Sequence, residues 1–147
     1  MNIQEQIDNL QISPLALIRW VNSEYEEIIT KNTSKNKLFN QRAVRSILKI
    51  LSINNGCSQN ELAREVHLKG STVCVALNQM EKEGLIKRIN SENDKRKINV
   101  YLTPKGYDVK KEIDAIVEAT EEKMLKGFSP SQKYDLQCAL LKILENC

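Results

Sequence analysis

Between Leu62 and Gly106 the chain reads LAREVHLKGSTVCVALNQMEKEGLIKRINSENDKRKINVYLTPKG. Its hydrophobic period changes part-way along. Leu62, Ala63 and Val66, then Val73, Ala76, Leu77 and Met80, recur at helical spacing. They predict a short helix over about 58–66, a tight turn, and a second helix over about 70–83 with Gly84 as its stop. Leu85 to Asn90 then reads as a short strand, and Lys97 to Leu102 alternates, with Ile98, Val100 and Leu102 on one face. The polar run Ser91 to Arg96 between them forms turns readily, which makes the segment a β-hairpin with a charged tip. Two short helices, a tight turn and a hairpin are the layout of a winged helix-turn-helix.

Outside this stretch, helix starts are written in the caps. All three prolines follow a hydroxyl residue, as Ser13-Pro14, Thr103-Pro104 and Ser129-Pro130. The hydroxyl satisfies an orphan backbone N–H, and proline lacks the N–H that would otherwise be orphaned. Ser129 with Gln132 and Ser58 with Glu61 have capping-box spacing. A helix is expected over about 14–30, with Ile18, Val21, Tyr25 and Ile28 as its apolar stripe. Another is expected over about 40–53, turning Val44, Ile47, Leu48 and Leu51 inward, and a third from Pro104 to about 126. The last of these has Tyr107, Ile113, Ile116, Val117, Thr120 and Met124 on its apolar side. The final helix, over about 130–146, is apolar nearly all round through Tyr134, Leu136, Leu140, Leu141, Ile143 and Leu144. A partner subunit would bury such a helix.

At 147 residues the chain has the length of one domain, with ordinary proportions of apolar (41%) and charged (28%) residues. Aromatics at 5% disfavour a sheet-dominated core. The longest apolar runs are far too short to span a bilayer, and the polar start from Met1 to Leu10 is no signal peptide, so a cytoplasmic protein with no membrane association is expected. His67 is the sole histidine, which removes most histidine-based catalytic and metal sites. Cys57, Cys74, Cys138 and Cys147 form no Cys-x-x-Cys pair, and no glycine-rich phosphate loop exists. No catalytic residue, metal ligand or cofactor is expected, and the chain does not read as an enzyme.

The net charge of +3 hides a pattern: −2 over residues 1–35, +7 over 36–106 and −2 over 107–147. A basic middle suits a polyanion. On the outer face of the helix at 70–83, Ser71, Val75, Asn78 and Lys82 form a stripe flanked by Thr72 and Gln79. Short polar side chains there are able to read base edges or phosphates. The hairpin tip carries Lys95, Arg96 and Lys97, suited to the negative potential of a minor groove. Arg88, at the base of the hairpin, is a candidate phosphate contact, and Arg42, Arg45 and Lys49 share one helix face that could make another.

From Leu62 to Gly106 the sequence closely resembles the MarR (multiple antibiotic resistance regulator) family of bacterial transcription factors. Leu62-Ala63 with Ser71-Thr72-Val73 matches the family's helix-turn-helix. Met80 to Ile86 matches its L-E-x-x-G-L-[IV] exit from the recognition helix, and Asp94 to Gly106 carries its wing signature D-x-R-x5-L-T-x-x-G. The flanking helices follow the family's order, so the resemblance covers nearly the whole chain. It implies a mostly α fold with a small β-hairpin: a winged helix-turn-helix at 36–103, flanked by dimerisation helices at 1–35 and 104–147, in a single 1–147 unit. It further implies a homodimer on double-stranded DNA, reading a pseudo-palindrome with half-sites roughly 10 bp apart, most often as a repressor. By resemblance, Ser71, Thr72, Asn78 and Gln79 contact bases or phosphates, Arg96 enters the minor groove, and Asp94 holds the wing arginine by a salt bridge.

The departures are specific. The family commonly has Thr then Arg where this chain has Cys74 and Val75. That removes a guanine contact worth ~1–3 kcal/mol of discrimination, while Val75 suits a thymine methyl, so an operator richer in A·T is expected. Lys69 replaces the acidic cap of the recognition helix and is placed to bind phosphate at a helix N-terminus. His67 replaces a turn glycine and tolerates a left-handed conformation. Many members of the family release DNA on binding a small aromatic or lipophilic effector, for which Trp20 and Tyr25 are the candidate lining residues. Cys74 is a candidate thiol switch, since oxidation would add bulk and polarity at the DNA face. The alternative, a winged-helix protein-interaction module without DNA binding, sits poorly with the cationic wing.

Overall fold

The computed structural model describes residues 2–33 and 35–147. Met1, where the first expected unit begins, and Ser34 near its end lie outside the described residues. The elements run α1 (Ile3–Leu10), α2 (Pro14–Asn32), α3 (Arg42–Ile53), α4 (Gln59–Glu65), α5 (Gly70–Lys82), β1 (Ile86–Asn90), β2 (Ile98–Leu102), α6 (Pro104–Met124) and α7 (Pro130–Glu145). The hydroxyl caps do what their spacing predicts. The side chains of Ser13, Ser58, Thr103 and Ser129 accept from the N–H groups of Ala16, Glu61, Gly106 and Gln132. One helix was not expected: α1, which starts on a capping box between Asn2 and Glu5.

A single hydrophobic core lies in the middle of the chain. Val44, Ile47, Leu48 and Leu51 of α3 meet Leu62 of α4 and Val73, Ala76, Leu77 and Met80 of α5. Leu85, Ile86, Val100 and Leu102 close it from the hairpin, and Val109 and Ile113 from α6. Each such fully buried side chain contributes about 1.5–3 kcal/mol relative to exposure. The hairpin is antiparallel, with Ile86 opposite Leu102 and Asn90 opposite Ile98. The far edge of β2 is used as well. Gly56 N–H donates to the Val100 carbonyl (2.9 Å), and Val100 N–H to the Cys57 carbonyl (3.0 Å). His67 adopts φ 52°, the left-handed turn that a glycine would otherwise supply.

The flanking helices differ from the expected faces. On α2 the buried residue is Ile29, whereas Val21 is 56% exposed. On α6, Gly106 and Val109 are buried while Tyr107 is 41% exposed, so the buried stripe is rotated at the start of the helix. No residue of α7 is buried, and its Leu136, Leu140, Leu141 and Leu144 stand exposed in the single chain. No helix among the described residues is long and apolar enough to cross a membrane.

Gly106 is required by contact. A Cβ built there would lie 2.2 Å from the Leu85 carbonyl oxygen. Gly106→Ala therefore forces β1 and α6 apart, and a loss of about 1–3 kcal/mol is expected in urea denaturation. Unchanged stability would mean the junction is slack.

Candidate nucleic-acid interface

The core-facing side chains of α5 leave its other face outward. Ser71, Thr72, Val75, Asn78, Gln79 and Lys82 are all exposed, as the spacing requires. Lys69 is the N-cap and makes no side-chain cap bond, and the first turn holds no acidic residue. The positive end of the helix is thus uncompensated by any carboxylate of its own.

The two amides on this face are held by neighbours. The Gln79 Oε1 accepts from Gln41 Nε2 (2.9 Å), which lies at the N-cap of α3. The Asn78 Oδ1 accepts from Arg88 on β1 (2.7 Å). Arg88 also donates through Nε to Glu81 Oε2 (2.7 Å), and its terminal nitrogen lies 2.5 Å from the same oxygen. Arg88 is therefore engaged by Asn78 and Glu81 of α5, not extended toward solvent as a free phosphate contact would be. Glu81 belongs to the Met80–Ile86 motif, but its pairing with Arg88 is not marked in the sequence; it lies one turn after Asn78, which is a usable signal, whereas nothing local marks Gln41.

The wing is organised by Asp94, though not through the expected salt bridge to Arg96. Asp94 Oδ1 accepts the backbone N–H of Arg96 (3.0 Å), and its carbonyl accepts the N–H of Lys97 (2.9 Å). An acidic side chain two residues before an N–H forms an Asx-turn, which shapes the tip and leaves the guanidinium free. Lys95 and Arg96 are exposed at that tip. Lys97 turns back, with Nζ 3.5 Å from Glu61 on α4. Glu61 also accepts the Ser58 N–H (2.8 Å). That backbone bond, then the Ser58 hydroxyl and Lys97, hold its carboxyl below the ordinary value of 4.5.

Arg42, Arg45 and Lys49 do not share the outward face of α5. With Tyr25, Glu26, Lys110 and Val117 they line a groove of about 380 Å³ between α2, α3 and α6. Arg45, with 9% of its side chain exposed, pairs with Glu26 and donates to the carbonyls of Phe39 (3.1 Å) and Asn40 (2.8 Å). Tyr25 also faces a second cavity, about 510 Å³, lined by Glu121, Met124, Leu136 and Leu140. Burial pushes its phenol up from 10.0, helped by Glu121 and opposed by Arg45. Trp20 is 58% exposed and lines neither cavity, so the structure does not bring it together with Tyr25. Cys74 is half-buried on α5 and free, and Cys57 is buried, which raises its thiol pKa. Among the described residues no group of three or more His, Cys, Asp or Glu is placed to hold a metal ion.

Residues 45–98 match the MarR family model. The whole fold is similar to a MarR-family transcriptional regulator from Silicibacter pomeroyi, at 26% identity over 89% of this chain and 87% of that one, with a TM-score of 0.75. It is also similar to Bordetella bronchiseptica BpsR, whose DNA binding is regulated by 6-hydroxynicotinic acid (21% identity, 89% and 92% of the two chains, TM-score 0.79). A third similar structure is the Streptomyces coelicolor regulator PcaV in complex with its natural ligand (16% identity, 92% and 94%, TM-score 0.81). At those identities the last two establish the fold: mostly helical, with a two-stranded antiparallel wing.

The Glu61 carboxyl gives a pH-dependent test of the capping box that starts α4, since Ser58 is the main cause of its lowered pKa and Lys97 a minor one. Its lowered pKa means the folded state holds the proton less tightly than the unfolded state. Its contribution is therefore fully present above 4.5 and is lost as pH falls through the depressed folded value. In urea titrations across pH, the stability gap between wild type and Glu61→Gln should be widest above 4.5 and close on acidification. A gap independent of pH would count against the Ser58–Glu61 capping box.

Proposed function

Because residues 45–98 match the MarR family model and the fold is similar to that of a MarR-family regulator, we propose that this chain is a transcriptional regulator that binds an operator in double-stranded DNA as a homodimer and represses from it. The observation that carries this reading is the pairing of two exposed surfaces: the polar outer face of α5 and the Lys95-Arg96 tip. A helix face of this width suits a major groove, and a cationic tip suits the adjacent minor groove. The residues proposed to meet DNA are Lys69 at the helix N-terminus, Ser71, Thr72, Val75, Asn78 and Gln79 along α5, and Lys95 and Arg96 on the wing. Asp94 shapes the tip, and Lys97 braces it against α4.

The dimer reading rests on apolar surface that the single chain leaves in water. Leu140 and Leu144 on α7, Leu15 and Trp20 on α2, and Ile3 on α1 are all exposed, Leu144 to 67% and Ile3 to 76%. This much apolar surface on the terminal helices marks an interaction face. The 36–103 region then acts as the reading head, and 1–35 with 104–147 as the dimer-forming helices. The groove beside Tyr25 supports regulation by a small aromatic effector. Glu26, Asp114 and Glu121 line it too, and Arg45 and Lys110 are paired with Glu26 and Asp114, which leaves Arg42 and Lys49 beside Tyr25 and Val117 as the cations for a ring that carries an anionic group.

Selection from a randomised duplex pool should enrich a pseudo-palindrome with half-sites about one turn, roughly 10 bp, apart. On that duplex, binding should weaken with salt at about −0.9 in slope per phosphate contact, and Arg96→Ala should weaken it by about tenfold. Enrichment of nothing would overturn the DNA reading and favour a protein-interaction module. The paired substitutions Leu140→Glu and Leu144→Glu should halve the mass seen by sedimentation equilibrium. An unchanged mass would place the subunit contact elsewhere.

A further inference from the structure

Arg88 and Glu81 carry chemistry that the contacts above do not absorb. A guanidinium has only donors, so the Asn78 atom facing it must be the carbonyl oxygen. The Gln41–Gln79 pair lacks this property, since two amides can exchange donor and acceptor. Asn78 is thus the one reading amide whose orientation is fixed by chemistry. Glu81 in turn fixes Arg88, gripping both Nε and a terminal nitrogen through one oxygen. A charge-assisted chain of this kind holds its members in place more firmly than neutral hydrogen bonds do. It runs from α5 to the first strand of the wing and back to α5.

A free asparagine reads adenine with two bonds, accepting from N6–H and donating to N7. With its oxygen drawn toward Arg88, Asn78 presents its NH2 group outward. We propose that Arg88, buttressed by Glu81, is a positioning residue that sets base preference through Asn78. It turns Asn78 from an adenine reader into a donor that favours acceptor-only edges, guanine N7 and O6 or thymine O4. This inference rests on α5 being the recognition helix. It also gives Arg88 a role different from the phosphate contact that its charge and place in the sequence suggest.

The test uses the full-length protein and the duplex enriched by the wild type from a randomised pool, followed by anisotropy competition with every single-base variant of that duplex. Wild type should prefer guanine or thymine over adenine at one position in each half-site. Arg88→Met, which keeps the apolar stem and removes the donors, should shift preference at that position toward adenine by about tenfold. The salt slope should be unchanged. Glu81→Gln, which leaves Arg88 in place with a weaker grip, should shift it part of the way and guards against a folding defect in the first variant. In an Asn78→Ala background, Arg88→Met should have no further effect on base preference.

Uniform weakening across all variants, with the salt slope reduced by about 0.9 per half-site, would make Arg88 a phosphate contact and overturn the proposal. Unaltered preference in Arg88→Met would overturn it as well. Failure of the wild type to enrich any duplex would bring down the DNA reading itself, an outcome separate from both.

Discussion

The carbonyl groups at the exit of α5 govern how the reading head joins the rest of the chain. A helix leaves its last carbonyls without intrahelical partners, and in α5 those of Gln79, Met80 and Glu81 accept from the N–H groups of Glu83, Leu85 and Gly84. The segment after β2 takes up the next three carbonyls, at 83–85. Lys105 Nζ donates to the Glu83 carbonyl (2.7 Å), the Thr103 hydroxyl to that of Gly84 (2.6 Å), and the Thr103 N–H to that of Leu85 (3.0 Å). The Thr103 oxygen also caps α6 by accepting the Gly106 N–H (3.1 Å). Gly106 lets the α6 backbone reach the Leu85 carbonyl, where any side chain would collide. Leu102-Thr103-Pro104-Lys105-Gly106 is thereby a physical joint: it ends the wing, closes α5 and begins α6. The matching positions of the wing signature follow from these contacts.

The joint also explains why the wing is an arm with a fixed root and a free tip. At the root, β2 is held on both edges, by β1 and by Gly56 and Cys57, and Asn55 Oδ1 accepts the Leu102 N–H (2.9 Å). Further out, Lys97 reaches Glu61. Beyond Lys97 the chain is shaped by the Asx-turn at Asp94 and the Lys97 N–H bond to the Asp94 carbonyl, and the Lys95 and Arg96 side chains are exposed. An exposed cation keeps its strongest interaction for an external anion, because an internal salt bridge in water contributes little. Binding to Asp94 through the backbone instead of the side chain leaves that interaction available.

Most of the fold was legible because the signals are local. A hydroxyl cap, a following proline and an apolar period act within one or two turns, and they placed α2, α4, α6 and α7 to within a few residues. The stripe of α5 was legible for the same reason, since Val73, Ala76, Leu77 and Met80 can face inward only if Ser71, Val75 and Asn78 face out. Tertiary partners were not legible. Arg88 reads as a spare cation until β1 folds beside α5 and presents it to Glu81 and Asn78. Arg42, Arg45 and Lys49 read as a DNA-side stripe, yet α2 and α6 pack along that side of α3 and turn it into a groove. The α6 stripe was misphased because Tyr107 is apolar enough to pass for core, whereas Gly106 is buried for its lack of a side chain. The α1 helix carries little period to read, since its eight residues make only about two turns.

That groove and the reading face are joined by a short, continuous run of contacts. Arg45 spans them: its guanidinium meets Glu26 on α2 and the carbonyls of Phe39 and Asn40, just before α3. The next residue, Gln41, is the N-cap of α3 and holds Gln79 on α5. Replacing Arg45's bonds to the 39–40 carbonyls would leave two backbone acceptors to find new partners, a change that costs more than losing a surface ion pair. The segment that carries these carbonyls also places Leu38 in the core and Phe39 against it, so Arg45 ties the groove, the core and Gln41 to one short stretch of chain.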